Sequence, residues 1–235
     1  MMKIAAIVPA FNEEASIEMV VSELNSVARQ NNILLTVIVV NDCSTDSTSS
    51  IIKHLNCIPL NLPINLGIGG AVQTGFKYAY INGFDLALQI DGDGQHPANE
   101  IPKLLAAQKE NDLDIVIGSR FIDKEGFQSS FTRRSGISFF RYLNRLLVGV
   151  DIKDSTSGFR MLNKKALALV NEYYPDEYPE PEAIVLYAKN NLKIGEVAVT
   201  MRERQGGVSS ISGFKSLYYM FKVSFAIIFT FIKHK

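Results

Sequence analysis

Leu86-Ala87-Leu88-Gln89-Ile90-Asp91-Gly92-Asp93-Gly94-Gln95-His96-Pro97 decides how this chain is read. A short, largely apolar run stops abruptly at a turn carrying two carboxylates. Such a run suits a strand buried on both faces, as in a parallel sheet. The pattern recurs outward from this segment. Ile4 to Val8 stops at Pro9, Val37 to Val40 at Asn41-Asp42, and Ile115 to Ile117 at Gly118-Ser119. Between the runs lie helical periodicities: Ile17, Val20, Val21, Leu24 and Val27 within 14–30, then Val72, Phe76, Tyr80 and Ile81 within 70–82. Ile101, Leu104 and Leu105 mark a third, within 99–109. Strand and helix alternating this way predict an α/β fold with an open, mostly parallel, Rossmann-like sheet and flanking helices. Right-handed crossovers then gather the strand C-termini at one edge. Asn12-Glu13, Asp42, Asp91 to Gln95 and Arg120 are expected to converge there.

After residue 120 the alternation weakens. Residues 121–132 read as a polar loop and 133–148 as a basic amphipathic helix. Asp154 to Gly158 is turn-rich, 183–190 helical, Ile194 to Val199 a strand, and Arg202 to Ser212 a glycine- and serine-rich loop. With no repeat and no low-complexity linker, residues 1–212 form one expected domain. Residues 213–235 form an apolar C-terminal helix. That segment is interrupted by Lys215 and Lys222, whereas a membrane span needs roughly 17–25 predominantly apolar residues. It reads instead as an in-plane amphipathic helix or an oligomer contact, or as a helix packed on its own domain's core.

The 235 residues carry 24 basic and 24 acidic side chains, 47% hydrophobic residues and two cysteines. This composition excludes a disordered chain and a disulfide scaffold, and points to a reducing compartment. The apolar run at Ile4 to Val8 is too short for a signal-peptide core, so no export is expected. Zero net charge argues against a nucleic-acid partner but hides a gradient. Residues 1–119 hold 6 basic and 13 acidic side chains, residues 120–165 hold 10 and 4, and residues 202–235 hold 6 and 1. An acidic half, a basic segment and a basic, apolar tail are sorted along the chain.

In the opening segment, Asp91 and Asp93 are spaced to hold a hard divalent cation, with Gln95 adding a neutral oxygen. A bare Asp-Gly turn is the simpler alternative. His96 reads as a solvated loop residue rather than a further ligand. Pro9 to Phe11 could floor a nucleobase or ribose, while Glu13 and Glu14 also suit a helix N-terminus. Asp42 could accept a hydrogen bond from a base, and Asp46 could cap the next helix. Asn65 to Ala71, with Gly67, Gly69 and Gly70, opens a helix whose N–H groups could receive an anion, or needs its glycines only for packing. It is no dinucleotide fingerprint, since the third glycine of that motif would fall at Val72.

Taken in order, Val8 to Glu13, Val40 to Asp46, Asn65 to Gly70, Asp91 to Pro97 and Gly118-Ser119-Arg120 resemble family 2 glycosyltransferases. The most similar branch is the dolichyl- or polyprenyl-phosphate mannose and glucose synthases. Arg133-Arg134, Asp154 to Arg160 and Arg202 to Ser210 extend the resemblance to about residues 3–212. It implies a GT-A fold, an inverting mechanism and a nucleotide-diphospho-sugar donor. It further implies a donor pocket from Pro9, Phe11, Glu13, Asp42, Gly67, Gly70 and Asp91, with Mg²⁺ or Mn²⁺ on Asp91, Asp93 and Gln95. Arg133, Arg134, Arg160, Arg202 and Ser209 would meet acceptor phosphate, and Asp93, Arg120 and Glu182 are the expected catalytic residues. Phe11 stands where the branch often has Tyr. The chain has no Trp and hence no Gln-x-x-Arg-Trp, which argues against a processive polysaccharide synthase.

A nucleoside diphosphate leaves readily once a cation neutralises it. A hydroxyl acceptor needs a base, for which Glu180 or Glu182 is available. A lipid phosphate, already anionic, needs arginine forks instead. The reading that follows is a hexosyltransferase-type enzyme of glycan biosynthesis, acting on polyprenyl phosphate at the cytoplasmic face of the cell membrane, with peripheral membrane contact and a possible homo-oligomer. The alternatives are the same donor chemistry onto a lipid-linked or surface-glycan hydroxyl, a sugar nucleotidyltransferase, and a binding module that has lost catalysis.

Overall fold

The computed structural model describes residues 2–123, 125–126, 131–176, 179–203 and 214–233, with the side chains of 131–133 and 214–219 outside the description. In chain order the elements are β1 (Ile4–Ala10), α1 (Ile17–Gln30), β2 (Leu35–Asn41), α2 (Thr48–Ile52), β3 (Ile58–Asn61), α3 (Gly67–Ile81) and β4 (Leu86–Gln89). A 3₁₀ turn at Ala98–Glu100 leads into α4 (Ile101–Asn111), followed by β5 (Ile115–Ser119), α5 (Phe131–Val148), β6 (Arg160–Asn163), α6 (Lys164–Glu172), α7 (Pro179–Lys189), β7 (Ile194–Ala198) and α8 (Phe214–Lys233).

The strands form one sheet in the order β3-β2-β1-β4-β6-β5-β7. All neighbours are parallel except β6, which runs antiparallel between β4 and β5. Successive side chains of a strand point to opposite faces, and both faces are covered here. Ile4, Ala6, Val8 and Ala10 of β1 meet α1 residues Ile17, Val20 and Leu24 and α4 residues Ile101 and Leu104. Ala5 and Ile7 face the other way, into a core with Val72 and Phe76 of α3, Leu167 of α6 and Ala183 and Tyr187 of α7. That two-sided burial is why the strands read as unbroken apolar runs.

The mostly parallel α/β sheet is as expected from the sequence, and α2 follows Asp46 where a helix was expected, but three elements are additional: β3, β6 and α6. Arg160-Met161-Leu162-Asn163 opens on a charged residue and is too short to show strand alternation. Asn163 then caps α6, its side chain accepting from the Ala166 N–H at 3.0 Å. Helix α7 begins at Pro179, four residues before the periodicity starts, because proline is tolerated in the first turn of a helix.

Helix α8 packs on α7 and α5 around Phe140, Val185, Val223 and Ile227. Its opposite face exposes Phe221, Phe225, Ile228, Phe229 and Ile232. Among the described residues, no helix is long and apolar enough to cross a membrane.

Candidate active site

The C-terminal ends of β1, β2, β4 and β5 share one sheet edge. Because β6 is antiparallel, its N-terminal end, and with it the segment 154–160, arrives at the same edge. The site is built from these five ends.

After β1, Phe11 stands exposed and Asn12 takes a left-handed backbone (φ 57°), which Asn tolerates better than most residues. The loop is stitched to the one after β2. Asn12 Oδ1 accepts from the Thr45 N–H at 2.8 Å, the Glu13 N–H donates to Thr48 Oγ1 at 2.9 Å, and Glu14 accepts from the Ser47 N–H at 2.9 Å. Asp46 binds the N–H groups of Glu14 and Thr48. Burial acts to raise its pKa, but these hydrogen bonds outweigh it and hold the carboxyl below the usual range.

Asp42, at the end of β2, is buried, and each of its oxygens takes one backbone hydrogen bond. They accept from the Leu66 N–H at 2.7 Å and the Gly67 N–H at 2.9 Å. Asp42 thereby tethers the first turn of α3, and each of its oxygens retains a second lone pair. That turn is also covered, since a Cβ at Gly69 would lie 1.8 Å from the Asp176 carbonyl oxygen. Gly67 and Gly70 therefore open a helix held between two chain segments.

The loop after β4 is the most tightly determined part of the edge. Asp93 is buried and accepts from the Gln95 N–H at 3.0 Å, across a turn that Gly94 makes at φ 78°. His96 is buried, not solvated as its loop position suggests. Its Nδ1 accepts from the Asp91 N–H at 3.2 Å, and its ring stacks on Phe159 with centroids 5.1 Å apart. Accepting at Nδ1 leaves the neutral ring's proton on Nε2, 3.8 Å from Asp91 Oδ2. Beneath Asp91 lies Gly158, where a Cβ would come within 3.0 and 3.3 Å of the two carboxylate oxygens and 2.9 Å of Gln89 Nε2. The absent side chain leaves the cradle in which Asp91 sits. On the other flank the Gln95 carbonyl accepts from the Arg202 N–H at 3.0 Å, and Arg202 pairs with Glu23 of α1 at 2.7 Å.

Among the described residues, no three His, Cys, Asp or Glu side chains converge. Two carboxylates and one amide on a glycine-rich turn fit a cation that keeps much of its shell for water and substrate phosphate, as Mg²⁺ and Mn²⁺ do. The cradle at Gly158 fits the same use, since its missing side chain leaves room for the Asp91 carboxylate to stand at the edge.

Arg120, at the end of β5, is buried in a two-pronged pair with Asp154. Its Nε and Nη2 each donate at 2.7 Å, and its backbone N–H adds a third bond at 3.1 Å. Burial opposes its charge, but Asp154 and, further off, Asp91 more than offset this and raise its pKa. Arg160 lies fully buried, donating from Nε to the Ser157 carbonyl at 2.7 Å and from Nη2 to the Ser155 carbonyl at 2.9 Å. The structure places it under the edge, beside Glu180 and Tyr187. Burial raises the Glu180 carboxyl, Arg160 and a hydrogen bond with Gln89 pull it back, and Asp91 pushes it up again. Burial likewise pushes the Tyr187 hydroxyl up to about 12 against the pull of Arg160.

The two candidate carboxylates of α7 are therefore separated by the fold. Glu180 looks toward Asp91 and Gln89. Glu182 faces α8, accepting from the Tyr173 hydroxyl at 3.3 Å and from Thr230 Oγ1 at 2.5 Å. Arg134 is exposed on α5. The Arg133 side chain, Arg204 and Ser209 lie outside the described residues. Gln89, Phe159 and Glu196 join the site without having been singled out in the sequence. Only Glu196 carried a signal, as the one acid inside an apolar strand.

Fold and site together define a glycosyltransferase of the GT-A type. The fold is similar to that of glucosyl-3-phosphoglycerate synthase from Mycobacterium tuberculosis, crystallised with Mn²⁺, UDP and glucosyl-3-phosphoglycerate. The TM-score is 0.71 at 18% identity, covering 99% of this chain and 80% of that one. The chain belongs to glycosyl transferase family 2, whose model matches residues 5–170. It is similar to the UDP-N-acetylglucosamine–dolichyl-phosphate N-acetylglucosaminyltransferase of Methanococcus voltae, at 33% identity over 90% of this chain and 92% of that protein. It is also similar to the polyprenol monophosphomannose synthase of Mycolicibacterium smegmatis, at 29% identity over 93% and 84%.

Proposed function

We propose that this protein transfers a sugar from a nucleotide-diphospho-sugar to a polyprenyl phosphate at a membrane surface, with inversion at the anomeric carbon. The observation that carries the reading is the meeting of Asp91, Asp93 and Gln95 with the Asp154-held Arg120 at one sheet edge. It is supported by near full-length similarity to one enzyme named for N-acetylglucosaminyl transfer to dolichyl phosphate and another named for polyprenol monophosphomannose synthesis.

In this reading Phe11 stacks the nucleobase, with Pro9 and Glu13 beside it. Asp91, Asp93 and Gln95 hold Mg²⁺ or Mn²⁺. When bound, that ion would neutralise the departing diphosphate and so lower the barrier to C–O cleavage. Arg120 orients the anionic acceptor, with Arg134 and Arg202 adding positive charge around the edge. The acceptor phosphate oxygen forms a bond to the anomeric carbon from the face opposite the leaving group, and the nucleoside diphosphate departs with the electron pair. No proton needs to be removed from a phosphate already ionised. Residues 1–212 form the catalytic domain. The exposed apolar faces of α8 and α5 (Phe221, Phe225, Phe229, Phe139, Tyr142 and Leu146), flanked by Arg134, Arg145 and Lys233, rest on an anionic bilayer at its cytoplasmic side.

A second reading has one observation in its favour. Glu180 has its carboxyl pushed up by burial beside Asp91, and in this reading it would act as the base for a glycan hydroxyl.

Nucleotide release from a panel of nucleotide sugars, with and without undecaprenyl phosphate, separates the two. The first reading expects stimulation by the lipid, abolished in Asp93→Ala and only modestly affected in Glu180→Gln. Release indifferent to lipid phosphate but stimulated by a glycan, and reduced about 10²–10⁴-fold by Glu180→Gln, would establish the second.

A further inference from the structure

Glu196 is a carboxylate in the middle of β7, a strand otherwise made of Ile194, Gly195, Val197 and Ala198. Placing a charge there is unfavourable unless it is hydrogen-bonded, and its partners are informative. Its Oε2 accepts from the Lys153 N–H at 2.7 Å and its Oε1 from the Asp154 N–H at 2.8 Å. Burial raises the pKa of this carboxyl, and the Ser119 hydroxyl, one residue before Arg120, acts with the two N–H groups to lower it. Both backbone bonds fall on the turn that carries Asp154, whose oxygens fork onto Arg120 at 2.7 Å each. The far side of this turn is held as well, since Asp151 pairs with Arg141 of α5 at 2.5 and 2.8 Å.

We propose that Glu196 is a positioning residue: by gripping the 153–154 turn, it sets the Asp154 carboxylate, and through it the direction of the Arg120 guanidinium at the sheet edge. An arginine on a flexible stem presents its donors in many orientations. A carboxylate fork fixed to the backbone reduces these to one. Glu196 has no part in bond making. It acts through two intermediates, the turn and Asp154, and the inference rests on the reading that Arg120 serves in transfer.

The test is a double-mutant cycle on the full chain, with UDP-N-acetylglucosamine as donor, undecaprenyl phosphate as acceptor and Mn²⁺ present. Activity and thermal midpoint are followed for Glu196→Gln, Asp154→Asn, Arg120→Ala and the double variant Arg120→Ala/Glu196→Gln. Glutamine keeps the size of the side chain but turns one acceptor into a donor facing a backbone N–H. Glu196→Gln and Asp154→Asn are each expected to lower kcat at least tenfold. The double variant is expected to be no slower than Arg120→Ala alone. An effect of Glu196→Gln that persists undiminished in the Arg120→Ala background overturns the proposal, because a residue that merely supports the fold acts in either background. Arg120→Ala slow with Glu196→Gln at the wild-type rate removes the positioning role and leaves that of Arg120 standing. Arg120→Ala at the wild-type rate removes both. Should Glu196→Gln fail to fold, Glu196→Asp, which retains the charge but shortens its reach, goes through the same cycle, and the same rate patterns uphold or overturn the positioning role.

Discussion

Gly158 shows how much of this site depends on one missing methyl group. Its absent Cβ leaves room for both oxygens of Asp91 and for Gln89 Nε2. Gly158→Ala is expected to push Asp91 off its place by a fraction of an ångström and to lower turnover on the order of 10²-fold, the usual scale for misplaced catalytic geometry. Kinetics at rising Mn²⁺ check this. A wild-type rate at low Mn²⁺ would mean that the carboxylate can yield without loss. The carboxylates of the loop after β4 and the glycine at 158 were both legible in the sequence, as motifs. Their contact was not, because 67 positions separate Asp91 from Gly158 and nothing local records the approach. The same limit applies to Asp42. As a residue type at a strand end it suggested an acceptor for a base; only the fold shows that its oxygens also hold the Leu66 and Gly67 N–H groups. His96 looked solvated from its polar neighbours and is instead stacked on Phe159, a partner supplied by a distant turn.

Among the elements, the antiparallel strand β6 changes the site most. It brings Arg160 and the preceding turn to an edge that parallel strands alone would leave without them. Its attachment depends on Asp114, just before β5. The Asp114 carboxylate accepts from the Asn163 side chain and the Lys193 N–H, each at 2.8 Å, with Lys165 at 3.3 Å. Burial acts to raise the Asp114 pKa, but these donors prevail and hold it below the usual value. A depressed carboxylate contributes stability above its unfolded pKa, near 4, that is lost as pH falls through the lower folded value. Asp114→Asn leaves a buried N–H facing an amide and is expected to lose about 1–3 kcal/mol at neutral pH. The difference between wild type and variant should shrink as pH drops below about 4. Urea melts across pH 3 to 7 measure it, and a difference independent of pH would contradict the assignment. The strands of the first half were legible because burial on both faces makes each a continuous apolar run. Strand β6 was not, since four residues starting with a buried arginine lack any period.

On the scale of the whole molecule, the outward faces of α5 and α8 expose several large apolar side chains. Phe225 and Phe229 are 59% and 67% exposed, so replacing them should leave stability within about 0.5 kcal/mol. Phe225→Glu/Phe229→Glu is expected to weaken binding to phosphatidylglycerol vesicles at least tenfold, while nucleotide release from the donor alone is unchanged. Vesicle binding equal to wild type would remove the membrane from the proposed function. The sorting of charge along the chain also takes a spatial form. The acidic half supplies Asp91, Asp93 and Asp42, and the basic segment supplies Arg120 and the exposed Arg134 and Arg145. Composition, strand runs and ordered motifs were sufficient by themselves to determine the mostly parallel α/β fold, the family and the carboxylates of the sheet edge. Those properties are written in local patterns of burial and turn chemistry. Only the tertiary structure decided which of Glu180 and Glu182 looks toward Asp91, that Arg160 lies beneath the edge, and that Glu196 grips the turn behind Arg120. The physical reason is that such contacts join residues tens of positions apart, and their energies are set by the directions of hydrogen bonds and by exclusion from water, which the order of residues alone does not record.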